Sequence, residues 1–262
     1  MEEIALIKKV ALAAAQEAGD ILRSGLTKEL TISHKGELDL VTEIDTLSEK
    51  TIVSHIKRHF SDHQILAEEG TNQQSNSPWR WVIDPLDGTT NYAHRFPYFW
   101  VSIAVEFEKT MVIGVIYDPI HNELFVAERG QGATLNGLPL TVSSISRLKE
   151  SLLVTGFAYS LRTDSENNLN HFTQFLMRVQ GVRRMGSAAL DLCYVAAGRF
   201  DGFWELNLNP WDTAAGFLIV TEAGGAVTDF SKKPFFIEGK EILATNGKIH
   251  QEMADVFMAQ SK

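Results

Sequence analysis

The segment that most constrains this chain is Trp81-Val82-Ile83-Asp84-Pro85-Leu86-Asp87-Gly88-Thr89-Thr90-Asn91-Tyr92, where an apolar run passes directly into two acids. A short apolar run of this kind reads as a buried strand, so any fold that forms must deliver Asp84 and Asp87 at a strand end. Pro85 fixes its own φ and biases Asp84 away from helix, while Gly88 tolerates backbone geometry that other residues resist. Both carboxylates therefore leave a rigid frame in a defined relation. Hard oxygen ligands held that way suit magnesium. Asp-Pro and Asp-Gly are also common turn pairs, but a plain turn does not account for the buried strand before them. A calcium hand fits worse, because position twelve counted from Asp84 is Arg95, where that motif needs glutamate.

Two further stretches carry acids. Glu68 and Glu69 arrive one short loop before the strand, and Asp212 lies in Asn209-Pro210-Trp211-Asp212 at a helix start. Together with Asp84 and Asp87 they can fill a two-metal site. A phosphate monoester is a dianion that repels hydroxide and these acids alike, and metal ions reverse that sign. Two ions roughly 3.5–4 Å apart activate the attacking water and stabilise the leaving oxygen. Thr89 can orient that water beside Glu68 as base. The phosphate has room against the backbone N–H groups of Gly88 and Thr89 and near the helix start at Ser187.

Plainer readings stand beside these. Asp212 is good helix-start chemistry, and Asp45 can close a capping box with Thr42, a role compatible with a functional one. Glu205 reads from position as a surface residue, Ala188 as helix packing, and Lys35-Gly36 as a solvated turn. Glu69 reads as exposed, or as a partner of a ligand rather than a ligand. His55, His59 and His63 recur every four residues, but with Lys57 and Arg58 beside them they read as a solvated helix face rather than a zinc site. Cys193, the single cysteine, reads as a buried, inert thiol and fits a reducing compartment.

With 262 residues, 44% of them hydrophobic, the chain can build one large core or two closely packed ones. A formal charge of -9 argues against a broad electrostatic hold on nucleic acid. Small molecules or proteins are the expected partners. Glu2 and Glu3 sit where a signal peptide would be basic, and no run reaches membrane-spanning length, so a cytoplasmic protein is expected.

The spacing of Ile4, Ile7, Val10, Ala11, Ala14, Ala18, Ile21 and Leu22 predicts a helix over residues 2–25, and a second is predicted from Thr46 to His59. Gly70 to Pro78 reads as a polar loop. Strands are expected at Trp79 to Ile83, Phe99 to Glu106, Met111 to Tyr117 and Glu123 to Ala127, a meander. Beyond residue 150 the expected elements alternate. Strands fall near Leu152 to Thr155, Phe200 to Leu206 and Ile242 to Thr245. Helices fall near Asn170 to Val179, Ser187 to Ala197 and Trp211 to Ala223, with another at the end. Mixed layers of sheet and helix follow, an α+β or α/β sandwich. The reading is a single domain over residues 1–262, with an α+β half at about 1–150 and an α/β half at 151–262.

In order along the chain, Lys35 with Asp39-Leu40-Val41-Thr42-Glu43-Ile44-Asp45, Glu68-Glu69, Asp84-Pro85-Leu86-Asp87-Gly88-Thr89, Trp211-Asp212 and Glu222-Ala223-Gly224-Gly225 resemble the signature of the inositol monophosphatase family. The resemblance covers nearly the whole chain, and Gly186-Ser187-Ala188-Ala189-Leu190-Asp191-Leu192-Cys193 with Gly202-Phe203-Trp204-Glu205 is most similar to bacterial members. It implies a layered α/β/α/β/α fold, hydrolysis of small sugar or polyol phosphates, two or three magnesium ions, lithium inhibition and a homodimer. Carried over by position, Glu68, Asp84, the Leu86 carbonyl, Asp87 and Asp212 resemble metal ligands, with Thr89 and Glu68 activating water. The resemblance also assigns Gly88, Thr89, Ala188, Glu205 and Asp212 to substrate, Asp45 to the support of Thr89, and Lys35 to a loop over the site. Myo-inositol monophosphate is the leading substrate. Fructose bisphosphate, histidinol phosphate, adenosine 3',5'-bisphosphate and NADP are alternatives, as is a protein-binding role with the transcription or ribosome machinery.

Overall fold

Helix α1 runs over Glu2–Gly25, as its apolar spacing predicts, and buries Ile7, Val10, Ala11, Ala14, Ala18 and Leu22. The computed structural model describes residues 2–28, 30–34, 40–165 and 167–259. Helix α2, Glu43–His59, packs against α1. It begins three residues before the predicted Thr46 because Thr42 caps it: the Thr42 hydroxyl accepts from the Ile44 amide (3.2 Å), and Asp45 accepts from the Thr42 amide (2.8 Å). Five more helices follow among the described residues: α3 (Thr89–Ala93), α4 (Leu169–Leu176), α5 (Ala188–Ala196), α6 (Pro210–Glu222) and α7 (His250–Met258).

The larger sheet has eight strands in the spatial order Leu138–Pro139, Gly132–Leu135, Glu123–Glu128, Thr110–Asp118, Trp100–Phe107, Trp79–Asp87, Gln64–Ala67, Asn72–Gln73. The predicted meander is its centre, with antiparallel neighbours throughout. Helices α1 and α2 cover one face, where Ile7, Ile52, Ile56, Trp81, Ile103 and Val115 share a core. On the other face lie α5 and α6. Helix α6 buries Thr213 to Gly216 and Leu218 to Val220, and α5 buries all of Ala188 to Cys193. Helices apolar all round have no solvent face, which suits the middle of a sandwich. Gly114 permits the closest crossing, since a Cβ there would stand 2.8 Å from the Ala215 carbonyl oxygen.

Beyond α5 and α6 comes a mixed five-stranded sheet in the order Gly181–Arg183, Leu152–Thr155, Gly202–Leu206, Glu241–Thr245, Ala226–Thr228. Its far face is closed by α4 and α7 through Phe175, Trp204, Leu243, Met253 and Phe257. The stack is therefore the expected α/β/α/β/α sandwich. Its middle core draws on both halves of the chain, joining Val82, Trp100 and Ile116 to Leu190, Ala215 and Phe203. Among the described residues no helix is long and apolar enough to cross a membrane.

Differences from the sequence reading have local causes. The strands at Gln64–Ala67, Gly132–Leu135 and Ala226–Thr228, and the pairing of Ile32–His34 with Leu40–Thr42, are four residues or fewer and leave little pattern to detect. Asn72–Gln73, inside the stretch read as loop, is recruited as an edge strand by pairing with Ile65 and Leu66. The three histidines do not share a solvated face. Helix α2 ends at His59, and His55 contacts Glu17 (2.6 Å). His63 is buried, stacked on Phe60 at 4.5 Å, and its Nδ1 accepts from Trp81 Nε1 (3.1 Å). Burial lowers the His63 pKa, which keeps the ring neutral for that bond. Cys193 is buried as expected, and burial pushes its thiol pKa well up.

Candidate active site

The strand Trp79–Asp87 does not stop at Ile83, as the sequence suggested, but pairs on to the acids. Asp84 lies opposite Ser102 and Asp87 opposite Trp100, with the register broken between them. Pro85 sits in that break, where a missing N–H costs the ladder nothing, and such a bulge re-aims the side chains around it. The turn is pinned from both sides: Asp84 Oδ1 accepts from the Leu86 amide (3.0 Å), and Ser48 on α2 donates to the Pro85 carbonyl (2.8 Å). Gly88 follows at φ 95°, and a Cβ there would stand 2.9 Å from the Tyr98 carbonyl oxygen. Gly88→Ala is expected to lose roughly 1–3 kcal/mol of stability, the usual cost of forcing a side chain into that backbone region. Urea titration of both proteins checks this, and an unchanged midpoint would show that the turn tolerates a side chain.

Register also delivers Glu68. Gln64–Ala67 runs parallel to the acid-bearing strand with Ala67 opposite Ile83, and the Glu68 amide donates to the Ile83 carbonyl (3.2 Å). Glu68 thus emerges level with Asp84, whose carboxyl it meets in a hydrogen bond. Asp212 comes from the first turn of α6, where its Oδ2 accepts from the Asn209 amide (2.7 Å). Glu68, Asp84, Asp87 and Asp212 line one cavity.

Asp87 is held from an unexpected direction. Its Oδ2 accepts from the Ser187 hydroxyl (2.6 Å) and the Ala189 amide (2.8 Å) at the start of α5. The helix start that the sequence offered to phosphate thus gives one of its amides, that of Ala189, to a side-chain acceptor. Thr89 is held by Asp45: its hydroxyl lies 3.0 Å from Asp45 Oδ1 and 3.2 Å from the Leu86 carbonyl. Asp45 has both roles that the sequence left open, because Oδ2 serves the Thr42 cap while Oδ1 serves Thr89.

Burial raises the pKa of Asp84 well above the carboxylate range, with added repulsion from Glu68, Asp87 and Asp212. Asp212 is raised likewise by burial and then by Asp87 and Glu68. Asp87 is pushed up to about 6 by burial, against the pull of its donors at Ser187 and Ala189. A helix cap returns about 1 kcal/mol, whereas two like charges 4 Å apart at an effective dielectric of 20 repel by about 4 kcal/mol. Capping and turn formation therefore do not explain the cluster, but a cation would offset it. Among the described residues no three such side chains already stand as a finished metal cage, and the acids line the cavity wall. The donor set, carboxylate and carbonyl oxygen only, fits a hard divalent ion.

Glu205, which its position alone read as surface and the resemblance assigned to substrate, also lines the cavity. It is buried, and its pKa is pushed up to about 8 by burial, against the pull of Arg184. Gly156 makes room for it, since a Cβ at that position would collide with both carboxylate oxygens. The same architecture is found in known proteins. The model of the inositol monophosphatase family matches residues 3–261.

The chain belongs to the inositol monophosphatase family. An inositol-1-monophosphatase from Synechocystis sp. is 48% identical over 253 residues, covering 96% of this chain and 88% of the relative. The Nus factor SuhB of Pseudomonas aeruginosa is 42% identical over 246 residues, covering 91% of each chain. Among solved structures, the inositol monophosphatase from Anabaena (Nostoc) sp. superposes with a TM-score of 0.90 at 44% identity, covering 98% of this chain and 97% of its own. As a family member the chain is an enzyme that hydrolyses phosphate monoesters.

Of the site residues named from the sequence, Glu68, Asp84, Leu86, Asp87, Gly88, Thr89, Ala188, Glu205 and Asp212 all line the cavity, and they come from well-separated stretches of the inositol monophosphatase chain. Asp45 stands behind Thr89, and Lys35 lies outside the described residues. Sequence reasoning missed Gly156, Tyr159, Arg184 and Asn207, which are among the other residues of the lining. The Arg183-Arg184 pair just before Gly186-Ser187 was a usable signal for one of them.

Proposed function

We propose that this enzyme hydrolyses myo-inositol monophosphate to inositol and phosphate, using magnesium held by Glu68, Asp84, Asp87, Asp212 and the Leu86 carbonyl. The observation that carries this reading is that acids from three distant stretches line one cavity beside a threonine hydroxyl held by a buried acid. Two or three magnesium ions, when bound, supply the charge that offsets phosphate and lower the pKa of water. Glu68 accepts a proton from the attacking water. Thr89 donates its own proton to Asp45, which leaves its lone pairs to accept from that water and aim it. Gly88, Thr89 and Ala188 form the surface against which the phosphate lies, and Asp212 also faces the leaving oxygen.

Glu205 is the choice for the polyol end. Burial pushes its pKa up to about 8, which favours the protonated form that can both donate and accept, as a ring of hydroxyls requires. The name of the Synechocystis relative supports the same substrate. We further propose a cytoplasmic homodimer, a single domain of two halves, inhibited by lithium. Rates on a magnesium-containing panel test the substrate. Inositol monophosphate is expected to exceed fructose bisphosphate, histidinol phosphate, adenosine 3',5'-bisphosphate and NADP by at least about tenfold in kcat/KM. Comparable values across the panel would remove the inositol assignment. The relatives named Nus factor SuhB, at 42% identity, support a second reading, binding of a transcription-machinery protein.

A further inference from the structure

We infer that Asp191 is a positioning residue of this active site, holding the first turn of α5 against the Asp87–Gly88 turn through Tyr98. Asp191 lies one turn into α5 and is 1% exposed. Its Oδ1 accepts from the Tyr98 hydroxyl (3.2 Å), while its Oδ2 is buried and without a hydrogen-bond partner. Tyr98 is also tied to the catalytic turn through its main chain. Its carbonyl closes the space where a Gly88 side chain would go, and Asn91 Nδ2 donates to that carbonyl (2.9 Å) and to the Met185 carbonyl (2.9 Å).

These contacts close a ring. Asp87 is bound to α5 through Ser187 and Ala189, α5 is bound to Tyr98 through Asp191, and Tyr98 packs against the residue that follows Asp87. Neither Tyr98 nor Asp191 lines the cavity, so the pair acts on the reacting groups only through their neighbours. The unpartnered Oδ2 is destabilising in a buried site, whereas Oδ1 supplies the acceptor that the buried Tyr98 hydroxyl needs. Stability therefore asks for an acceptor at this position but not for an acid.

The charged groups facing Asp191 are Glu205 and Asp87, both acidic, with Arg184 as the cation. Burial raises the Asp191 pKa well above its ordinary value, and Glu205 and Asp87 add to that. A neutral carboxyl can accept from Tyr98 without adding repulsion to Asp87, and an amide has the same shape and the same acceptor. Charge is not required of it.

The test compares Asp191→Asn, Asp191→Leu, Tyr98→Phe and the double variant Tyr98→Phe/Asp191→Leu in the full chain at saturating magnesium. The inference rests on the phosphatase reading but not on its substrate, so rates are measured on inositol 1-phosphate and on p-nitrophenyl phosphate. If the wild-type enzyme fails on the first alone, the substrate assignment falls and the cycle is read on the second. Asp191→Asn is expected to stay within about threefold of wild type. Asp191→Leu and Tyr98→Phe are each expected to lower kcat by roughly 10–100-fold, the usual size of an outer-contact effect, with KM within about twofold. The double variant is expected to be no slower than the worse single one, because the pair works as a unit. If Asp191→Leu does not fold, Tyr98→Phe and Asp191→Asn still decide the question. An asparagine variant as slow as the leucine variant, an unchanged kcat in Tyr98→Phe, or losses that multiply in the double variant would overturn the inference.

Discussion

Replacing Asp87 by asparagine is expected to lower kcat by at least about a thousandfold while leaving the folded protein in place. The expected size follows from charge: a metal site stabilises the transition state by several kcal/mol, and 4 kcal/mol corresponds to about three orders of magnitude in rate. The fold should survive because Asn Oδ1 can accept from both Ser187 and Ala189, the two donors that now hold the carboxylate. Removing a charge that burial already disfavours costs the metal-free protein little. Steady-state rates, with circular dichroism on the same sample, check both halves. A turnover within tenfold of wild type would remove Asp87 from the ligand set.

Magnesium is expected to raise the melting temperature substantially. A ligand that binds only the folded state at 100 times its Kd stabilises it by about 2.7 kcal/mol. For a chain of this size each kcal/mol shifts the midpoint by about 2–4 °C, so a rise of roughly 5–10 °C is expected. The effect should be specific to a divalent ion, because added sodium chloride screens buried groups poorly. Asp87→Asn should lose most of the rise. A midpoint that responds equally to sodium chloride at matched ionic strength would mean general screening rather than a site.

How much of this was legible beforehand depended on whether the cause was local. The helix over Glu2–Gly25, the central meander and the layered class all follow from short-range periodicity, and they stand in the structure as read. The acids at Asp84 and Asp87 were legible because Pro85 and Gly88 mark the backbone around them. What put Glu68 beside them was not, since that depends on the parallel register of Ala67 with Ile83, a pairing between separate strands. Nor could one sequence show that the start of α5 binds Asp87, because the partner comes from a hundred residues earlier. Glu205 read as surface from its position alone, and only the resemblance assigned it to substrate, because strand position says nothing of the wall that Gly156 and Arg184 build around it. Asp45 was legible in both roles because its two oxygens satisfy both.

The most direct measurement is a crystal structure of the protein grown with manganese in place of magnesium, with anomalous scattering used to locate the ions. At least two anomalous peaks are expected in the cavity, contacting carboxylate oxygens of Glu68, Asp84, Asp87 and Asp212. A cavity without a peak at saturating manganese, or ions bound elsewhere while these four side chains touch none, would contradict the account.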